Sequence, residues 1–262
     1  KDRKEFKTNL LQKGKSPQPF EKFEEINGSI KLIHFKSGQL VLQGLLDTTN
    51  VKSDGIKPVL VYLHGGYALD YNDMAICKPF IDNGFIVFAP TYRGENGNDG
   101  YYEFLLGEVD DAEASIEWIM NQKFTNKDSI FVFGHSAGGS ISLSLSLYKN
   151  LPIKLGGSSG GFFNIETIEY LANEGGRIPY NSKIELENIY RLPLYSLDNM
   201  EREHYMYIGK EDGFKADKEF YDHLYSEKNT LFHLTEVEGD HFSSLNTAME
   251  DFIAVKKKKK KI

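Results

Sequence analysis

The chain has 262 residues, a length that suits one sizeable α/β domain and is short for two. Its hydrophobic content of 40% and charged content of 26% are ordinary for a globular protein. The net charge is -7, although six consecutive lysines occupy residues 256–261, so the remainder of the chain is strongly acidic. An acidic body argues against a nucleic-acid-binding surface, because phosphate contacts need clustered Lys and Arg side chains.

The cysteine count and the absence of long apolar segments bear on the cellular compartment of the protein. The single cysteine, Cys77, excludes an intramolecular disulfide and fits a reducing compartment. A small buried apolar residue is the favoured interpretation of this thiol. No apolar run is long enough to predict a transmembrane helix, and no signal peptide is visible. We therefore expect a cytoplasmic protein, with export left open because the chain begins at Lys1 and not at Met.

Short apolar runs alternate along the chain with segments of helical periodicity. The apolar runs predict eight strands, at residues 30–35, 40–46, 59–63, 85–89, 130–133, 153–155, 205–208 and 231–237. Helices are predicted at residues 73–83, 108–122, 140–148, 165–173, 215–226 and 243–255. The first two strands predict an antiparallel hairpin. The alternation after them predicts an α/β fold with a mostly parallel, doubly wound sheet.

Three segments lie outside this alternation. Residues 1–28 are mainly polar and predict an N-terminal arm on a domain that spans residues 29–255. Residues 162–200 are the least regular, and we predict an insertion over a site, since structureless stretches of this length are usually functional. The lysine-rich tail at residues 256–262 is predicted to be solvated and disordered. A chain-end feature is favoured for it over a surface for acidic partners or membranes.

The strand at residues 130–133 runs into Gly134-His-Ser-Ala-Gly138, which matches G-x-S-x-G. Between a strand and a helix, this pentapeptide predicts a nucleophile elbow. Ser136 would be held in strained backbone geometry, and side chains at Gly134 and Gly138 would collide with the neighbouring strand and helix. The hydroxyl would stand at a helix N-terminus, where N–H groups and the helix dipole favour a developing oxyanion. An incidental serine in a glycine-rich turn is the alternative.

A serine hydroxyl becomes a useful nucleophile only when a base takes its proton. On such a sheet the order along the chain is serine, acid, histidine. Of the seven histidines, only His241 follows the last predicted strand on a short polar loop before the final helix. Asp212, which comes four residues after Ile208, is the predicted acid, with Glu211 as the alternative. Ligands of such sheets bind at the carboxyl ends of the strands, where these residues would meet.

The remaining site predictions concern the oxyanion and the substrate. The backbone N–H of Ala137 is the predicted first oxyanion donor, and that of Gly66 or Tyr67 the second, at the end of the third strand. Aromatic residues on loops at the strand ends are candidates for the wall of a substrate pocket, with core packing as an equal alternative. They are Tyr92, Tyr101, Phe162 and Phe163. No metal or cofactor is needed by such a site.

Seven stretches in the same order resemble the α/β-hydrolase catalytic domain of the prolyl oligopeptidase-like serine hydrolases, over about residues 58–252. They begin at Pro58, Asn83, Gly107, Gly134, Leu192, Gly209 and Glu238. The resemblance implies an eight-stranded α/β-hydrolase sheet and a triad of Ser136, Asp212 and His241. Peptidases of this family typically carry an N-terminal β-propeller, and the fewer than 60 residues before the matching region predict that it is absent here.

These features together predict a serine hydrolase that cleaves a carboxylic ester or a short peptide through an acyl-enzyme. No residue distinguishes an esterase from a peptidase. The alternative is a hydrolase-fold protein that is used for binding and whose triad is idle. The expected partner is a small-molecule ester or a short peptide, with no nucleic acid, no cofactor and no metal, and the oligomeric state is left open.

Overall fold

A computed structural model describes residues 5–19, 23, 28–51, 55–173, 175–215 and 231–259. Its strands are β1 Ile30–Ser37, β2 Leu40–Asp47, β3 Lys57–Leu63, β4 Ile86–Pro90, β5 Thr125–His135, β6 Ile153–Ser159, β7 His204–Gly209 and β8 Phe232–Val237. They form one sheet in the order β1-β2-β4-β3-β5-β6-β7-β8. The pairs β1–β2 and β2–β4 are antiparallel, and the others are parallel. The predicted fold class is confirmed, including the antiparallel hairpin that turns at Gly38.

The α-helices within the described residues are α1 Tyr71–Ile76, α2 Lys78–Asp82, α3 Gly107–Met120, α4 Ala137–Ser146, α5 Ile165–Asn173, α6 Glu185–Arg191 and α7 Leu245–Lys259. The single helix predicted at residues 73–83 is wrong, because the chain breaks there into α1 and α2. Pro79 lacks an N–H and would clash with the preceding turn, so it starts a new helix instead of continuing the old one. The helix predicted at 215–226 lies, from residue 216 onward, outside the described residues.

The sheet is buried on both faces, which the continuous apolar runs predict for parallel strands. Along β3, Val59, Val61 and Leu63 point into one core, while Leu60 and Tyr62 point into the other. Helices α3, α4 and α5 cover the first face, and α1, α2 and α7 cover the second. This two-sided arrangement leaves the carboxyl ends of the parallel strands as the open edge at which a site can form.

Both segments that were predicted to be irregular contain regular structure. The insertion at 162–200 holds α5, α6 and a 3₁₀ segment, Pro193–Asn199. Helix α7 extends to Lys259, so the predicted disorder of the lysine run is wrong for its first four residues. Two of these side chains have close partners, since Lys256 Nζ lies 4.1 Å from the ring centre of Phe85 and Lys259 forms an ion pair with Glu203. Packing of the lysine stems on apolar surface explains the continued helix.

Two further observations bear on the predictions from composition. Cys77, the residue between α1 and α2, is fully buried in the core, which agrees with its interpretation as a small apolar residue. In the described part of the chain, no helix is both long and apolar enough to cross a membrane.

Candidate active site

Ser136 lies at the sharp turn between β5 and α4, where it is the N-cap residue of the helix. Its backbone has φ 53 and ψ -122, a region that residues other than glycine rarely adopt. Hydrogen bonds hold it there, because its N–H donates to Ser159 O at 2.9 Å and its carbonyl accepts the N–H of Gly139 at 2.9 Å. Strained backbone of this kind is retained where the surroundings enforce it, typically at functional sites.

Three glycines allow the turn to pack closely. A Cβ at Gly134 would lie 2.0 Å from Gly138 O in α4, and a Cβ at Gly138 would lie 2.0 Å from Leu63 O in β3. The predicted collisions with the neighbouring strand and helix are therefore confirmed. A Cβ at Gly65, in the loop after β3, would lie 2.8 Å from the Cβ of Ser136. The loop after β3 thus approaches the serine as closely as a backbone can.

His241 and Asp212 meet at the same edge of the sheet. Asp212 follows β7 and is buried, and its Oδ2 lies 3.0 Å from Nδ1 of His241, which follows β8. Its other oxygen, Oδ1, accepts the N–H of Phe214 at 2.9 Å. Because a carboxylate can only accept, the proton of the imidazole resides on Nδ1, and Nε2 is left as the acceptor.

The other carboxylates near this loop have different positions. Glu211, the alternative acid, is exposed. Asp240 is also exposed, and hydrogen bonds from Ser243 and from the N–H of Phe242 lower its pKa to about 2. These bonds cap the loop that carries His241. Asp212 is therefore the carboxylate that contacts the imidazole.

Gly160 is a site residue that the sequence analysis did not identify. It follows β6 with φ +60, and its N–H donates to Tyr207 O at 3.0 Å. A Cβ at this position would lie 2.7 Å from His241 Nδ1 and 3.0 Å from Asp212 Oδ2. The backbone of Gly160 thus lies directly against the His241–Asp212 pair. A glycine just past a central parallel strand was the available signal, since neighbouring strands also end at the site.

The side chain of His135 contacts the backbone of His241. Its Nε2 lies 2.8 Å from His241 O, and the two ring centres are 4.7 Å apart. Burial lowers the pKa of His135 to about 4, so the ring is neutral near pH 7. Since its Nε2 faces a carbonyl, that nitrogen carries the ring proton and donates it. His135 therefore helps to fix the loop on which His241 lies.

His64 is paired with a carboxylate and is not available as a base. Its Nε2 lies 3.1 Å from Glu95 Oε2, and its Nδ1 lies 2.9 Å from Gly65 O. Burial disfavours the charged ring, but the negative charge of Glu95 outweighs burial and raises the pKa of His64 to about 9. The His64 ring also stacks on Tyr92 at 4.7 Å between centres. This ion pair anchors the loop that carries Gly65, Gly66 and Tyr67.

Two cavities meet at Ser136. The larger, of about 840 Å³, is lined among others by Gly65, Gly66, His135, Ser136 and His241. The smaller, of about 210 Å³, is lined by Ser136, Ala137, Gly66, Tyr67 and a set of aromatic rings. The serine, the histidine and the three predicted oxyanion residues thus line these two cavities, which share Gly66 and Ser136.

The four aromatic residues predicted to line a pocket divide into two groups. Tyr92 and Phe162 line the smaller cavity. Phe163 instead packs in a separate core cluster with Leu143, whereas Phe162 belongs to the main core cluster on the first face of the sheet. Tyr101 is half exposed and lies outside both cavities. Pocket positions therefore could not be assigned from aromatic type and loop location alone.

Comparison with known proteins assigns the chain to a family. The sequence profile of the prolyl oligopeptidase family matches residues 72–244. The chain belongs to the prolyl oligopeptidase family. The resemblance seen in the sequence is thereby confirmed.

Individual relatives match smaller parts of the chain. An uncharacterized peptidase of Bacillus subtilis, YtmA, is 29% identical over 135 residues, which are 50% of this chain and 48% of that protein. A prolyl oligopeptidase of Dendrothele bispora, dbiP, is 29% identical over 119 residues, 42% of this chain and 15% of that protein. The chain therefore matches about half the length, or less, of these curated relatives.

Solved structures share the fold at low sequence identity. An acylaminoacyl peptidase of Pyrococcus horikoshii superposes with a TM-score of 0.66 at 20% identity, covering 86% of this chain and 39% of that chain. An esterase of Pyrococcus furiosus superposes with a TM-score of 0.66 at 16% identity, covering 97% of this chain and 96% of that chain. These likenesses confirm the α/β-hydrolase architecture.

Proposed function

We propose that this protein is a serine hydrolase that cleaves a carboxylic ester or a short peptide through an acyl-enzyme. One observation carries the proposal. Ser136, on its strained turn, opens into the same cavity as His241, whose Nδ1 lies 3.0 Å from the buried carboxylate of Asp212. Membership of the prolyl oligopeptidase family supports the same reaction type.

In the first half of the reaction, Ser136 Oγ attacks the carbonyl carbon of the substrate, and His241 Nε2 takes the proton of the hydroxyl. Asp212 keeps Nδ1 protonated and stabilises the imidazolium that forms. The carbonyl oxygen becomes an oxyanion, which accepts hydrogen bonds from the N–H of Ala137 and from that of Gly66 or Tyr67. The N-terminus of α4 adds its partial positive charge to this stabilisation.

In the second half, the tetrahedral intermediate collapses and the bond to the leaving group breaks. The imidazolium gives its proton to the departing alkoxide or amine, which leaves the acyl group on Ser136 Oγ. Water then attacks the acyl carbon while His241 Nε2 takes a proton from it. Collapse of the second intermediate returns that proton to Ser136 and releases the carboxylic acid.

The proposal is tested with purified protein and its Ser136→Ala variant. Substrates are p-nitrophenyl acetate and butyrate beside aminoacyl- and prolyl-p-nitroanilides. We expect the variant to lose at least about 10⁴-fold in kcat on whichever class the wild type turns over. Ser144→Ala is the matched control, because Ser144 lies on the same helix and its hydroxyl donates to Ser140 O of that helix at 3.0 Å.

The outcomes separate the alternatives. Serine-dependent ester turnover without anilide cleavage assigns an esterase, and anilide cleavage assigns a peptidase. A fluorophosphonate probe should label the wild type and the Ser144→Ala variant but not the Ser136→Ala variant. Absence of both turnover and labelling in folded wild-type protein would overturn the proposal and leave a binding protein with an idle triad.

A further inference from the structure

The N-terminal arm runs from the insertion to the loop that follows β3. We call residues 8–16 of this arm the strap. At its first end, Thr8 Oγ1 donates to the buried carboxylate of Glu187 on α6, with 2.9 Å between Thr8 Oγ1 and Glu187 Oε2. Further along, the N–H of Leu11 donates to Pro179 O at 2.8 Å. Side-chain and backbone hydrogen bonds therefore fix this end of the strap to the insertion.

The other end of the strap packs against the segment between β4 and α3. Gly14 O accepts the N–H of Tyr102 at 2.9 Å, and the N–H of Ser16 donates to Gly94 O at 3.1 Å. Ser16 is buried, with 1% of its surface exposed. Two backbone hydrogen bonds thus hold this end of the strap in the protein interior, where a polar side chain is retained only with a hydrogen-bond partner.

The hydroxyl of Ser16 has its partner in the loop after β3, which carries the predicted oxyanion donors. Ser16 Oγ donates to Tyr67 O at 2.7 Å. The ring of Tyr67 contacts the ring of Tyr102, with 5.9 Å between the ring centres, and Tyr102 is the residue whose N–H bonds Gly14 of the strap. The strap therefore restrains both the carbonyl and the side chain of Tyr67.

The other hydrogen bonds of this loop lie at its two ends. At the start, His64 Nδ1 lies 2.9 Å from the carbonyl of the next residue. At the end, the side chain of Asn96 bonds the N–H of Leu69 at 3.1 Å and its carbonyl at 2.9 Å. Among the described residues, the N–H groups of Gly66 and Tyr67 form no hydrogen bond, so they are available to a ligand. The bond from the strap is the one that fixes the middle of the loop.

The middle of the loop needs such a bond because of Gly66. Its φ is +68, and no atom lies within 4 Å of the position that a Cβ would take. A glycine in open space can adopt many backbone angles, and each of them would turn the neighbouring N–H groups in a different direction. Fixing the carbonyl of Tyr67 removes much of this freedom.

We propose that Ser16 is a positioning residue for the oxyanion hole, and that the strap holds the loop after β3 in the geometry that stabilises the transition state. The inference rests on the proposed serine hydrolase function and adds to it a residue that does not touch the substrate. Donors that are already oriented stabilise an oxyanion well, because they need no reorganisation when the charge develops.

The first test compares Ser16→Ala with the wild type on the p-nitrophenyl ester that the wild type turns over best. Removal of a whole oxyanion donor lowers kcat by about 10²–10³-fold. Loosening the loop that carries the donor should cost less, and we expect a loss of about tenfold in kcat. KM should stay within about twofold, because the affected interaction is made in the transition state. The pH of half-maximal kcat/KM should not change, because the triad is left in place.

Ser115→Ala is the matched control. Ser115 on α3 is fully buried, and its Oγ donates to Ala112 O at 2.7 Å, the same length as the bond from Ser16 to Tyr67. It lines neither of the two cavities at Ser136. This variant should keep the wild-type kcat. Equal losses of kcat in both variants would mean that the effect is one of general stability, and would overturn the role of Ser16.

Gly94→Ala displaces the strap without changing the Ser16 side chain. Gly94 has φ +76, and a Cβ there would lie 3.4 Å from Ser16 N and 3.1 Å from Tyr102 N. Gly84→Ala is its control, since Gly84 has φ +81 and no atom within 4 Å of the position of its Cβ. The two variants carry similar backbone strain, so a loss of kcat in Gly94→Ala alone supports the strap, and equal kcat values contradict it.

A measurement without substrate separates failure of this inference from failure of the proposed function. NMR order parameters report the motion of the Gly66 and Tyr67 N–H groups. We expect values of about 0.85 in the wild type, typical of rigid backbone, and values below about 0.6 in Ser16→Ala. Ser115→Ala should give the wild-type values.

Several results would overturn the inference. Wild-type kcat in folded Ser16→Ala would do so, as would a change confined to KM or a shifted pH of half-maximal kcat/KM. If no ester or anilide shows Ser136-dependent turnover, the proposed function fails, and the order parameters alone decide on the strap. Equal values in the wild type and Ser16→Ala then reject it, whereas lower values in Ser16→Ala retain it as the element that orders this loop.

Discussion

Substitution of Gly160 by alanine tests whether the position of the His241–Asp212 pair controls the reaction. A Cβ at Gly160 would lie 2.7 Å from His241 Nδ1, whereas ordinary Cβ contacts begin near 3.4 Å. The imidazole would therefore have to move by about 0.7 Å, away from the 3.0 Å contact with Asp212. A displacement of about 1 Å of a catalytic group reduces the rate by about 100-fold. We expect Gly160→Ala to lower kcat/KM by about this factor.

Alanine at this position also affects stability, because Gly160 has φ +60. The left-handed conformation costs an L-residue roughly 1–2 kcal/mol. Gly38 in the β1–β2 turn provides the matched control, since it has φ +56 and no atom within 4 Å of the position of its Cβ. Gly38→Ala should lose a similar free energy of unfolding and keep wild-type turnover.

The assay measures kcat and KM on the best p-nitrophenyl ester together with urea unfolding of each variant. Wild-type turnover by Gly160→Ala would show that the close packing against His241 is not needed. An equal loss of turnover in Gly38→Ala would show that the loss follows from lowered stability. Either result refutes the positional argument.

Two further predictions concern carboxyl groups. Asp212→Asn should lower kcat by about 10⁴-fold, because an amide donor facing Nδ1 leaves the proton of His241 on Nε2. Asp240→Asn is the control, because it changes the exposed carboxylate next to His241. Equal losses of kcat in the two variants would reject Asp212 as the triad acid. The second prediction concerns Glu108. Burial raises the pKa of its carboxyl from an ordinary 4.5 to about 7. Below pH 4.5 the Glu108 carboxyl is protonated in both the folded and the unfolded chain. Between pH 4.5 and 7 only the unfolded chain releases the proton, so this group lowers the free energy of unfolding by about 3 kcal/mol as pH rises. Urea unfolding of Glu108→Gln between pH 4 and 8 should show a shallower pH dependence than the wild type, and exposed Glu117→Gln on the same helix should not; identical slopes for all three would contradict the shift.

The parts of the site that depend on neighbouring residues in the chain were predicted well from sequence. Gly134, Ser136 and Gly138 are close in sequence, so their spacing alone dictates a turn whose glycines are required by sterics. The order of strands and helices likewise places His241 at the same edge of the sheet as Ser136. Two predictions of secondary structure were wrong. The predicted helix at residues 73–83 is divided in two at Pro79, which is a local cause. The lysines after residue 255 stay helical because Lys256 and Lys259 contact residues that are distant in sequence.

By itself, the sequence determined the strands, the elbow and the family, because hydrophobic periodicity and backbone sterics act over a few residues. Tertiary structure decided the rest. It placed Asp212 and not Glu211 at 3.0 Å from His241, set Gly160 against that pair, and buried Phe163 while leaving Phe162 in the cavity wall. It also paired His64 with Glu95 across 31 residues. The Tyr92 hydroxyl was left without a hydrogen-bond partner among the described residues. These features depend on which side chains meet when separate strands end at one edge, and only the folded sheet fixes those distances.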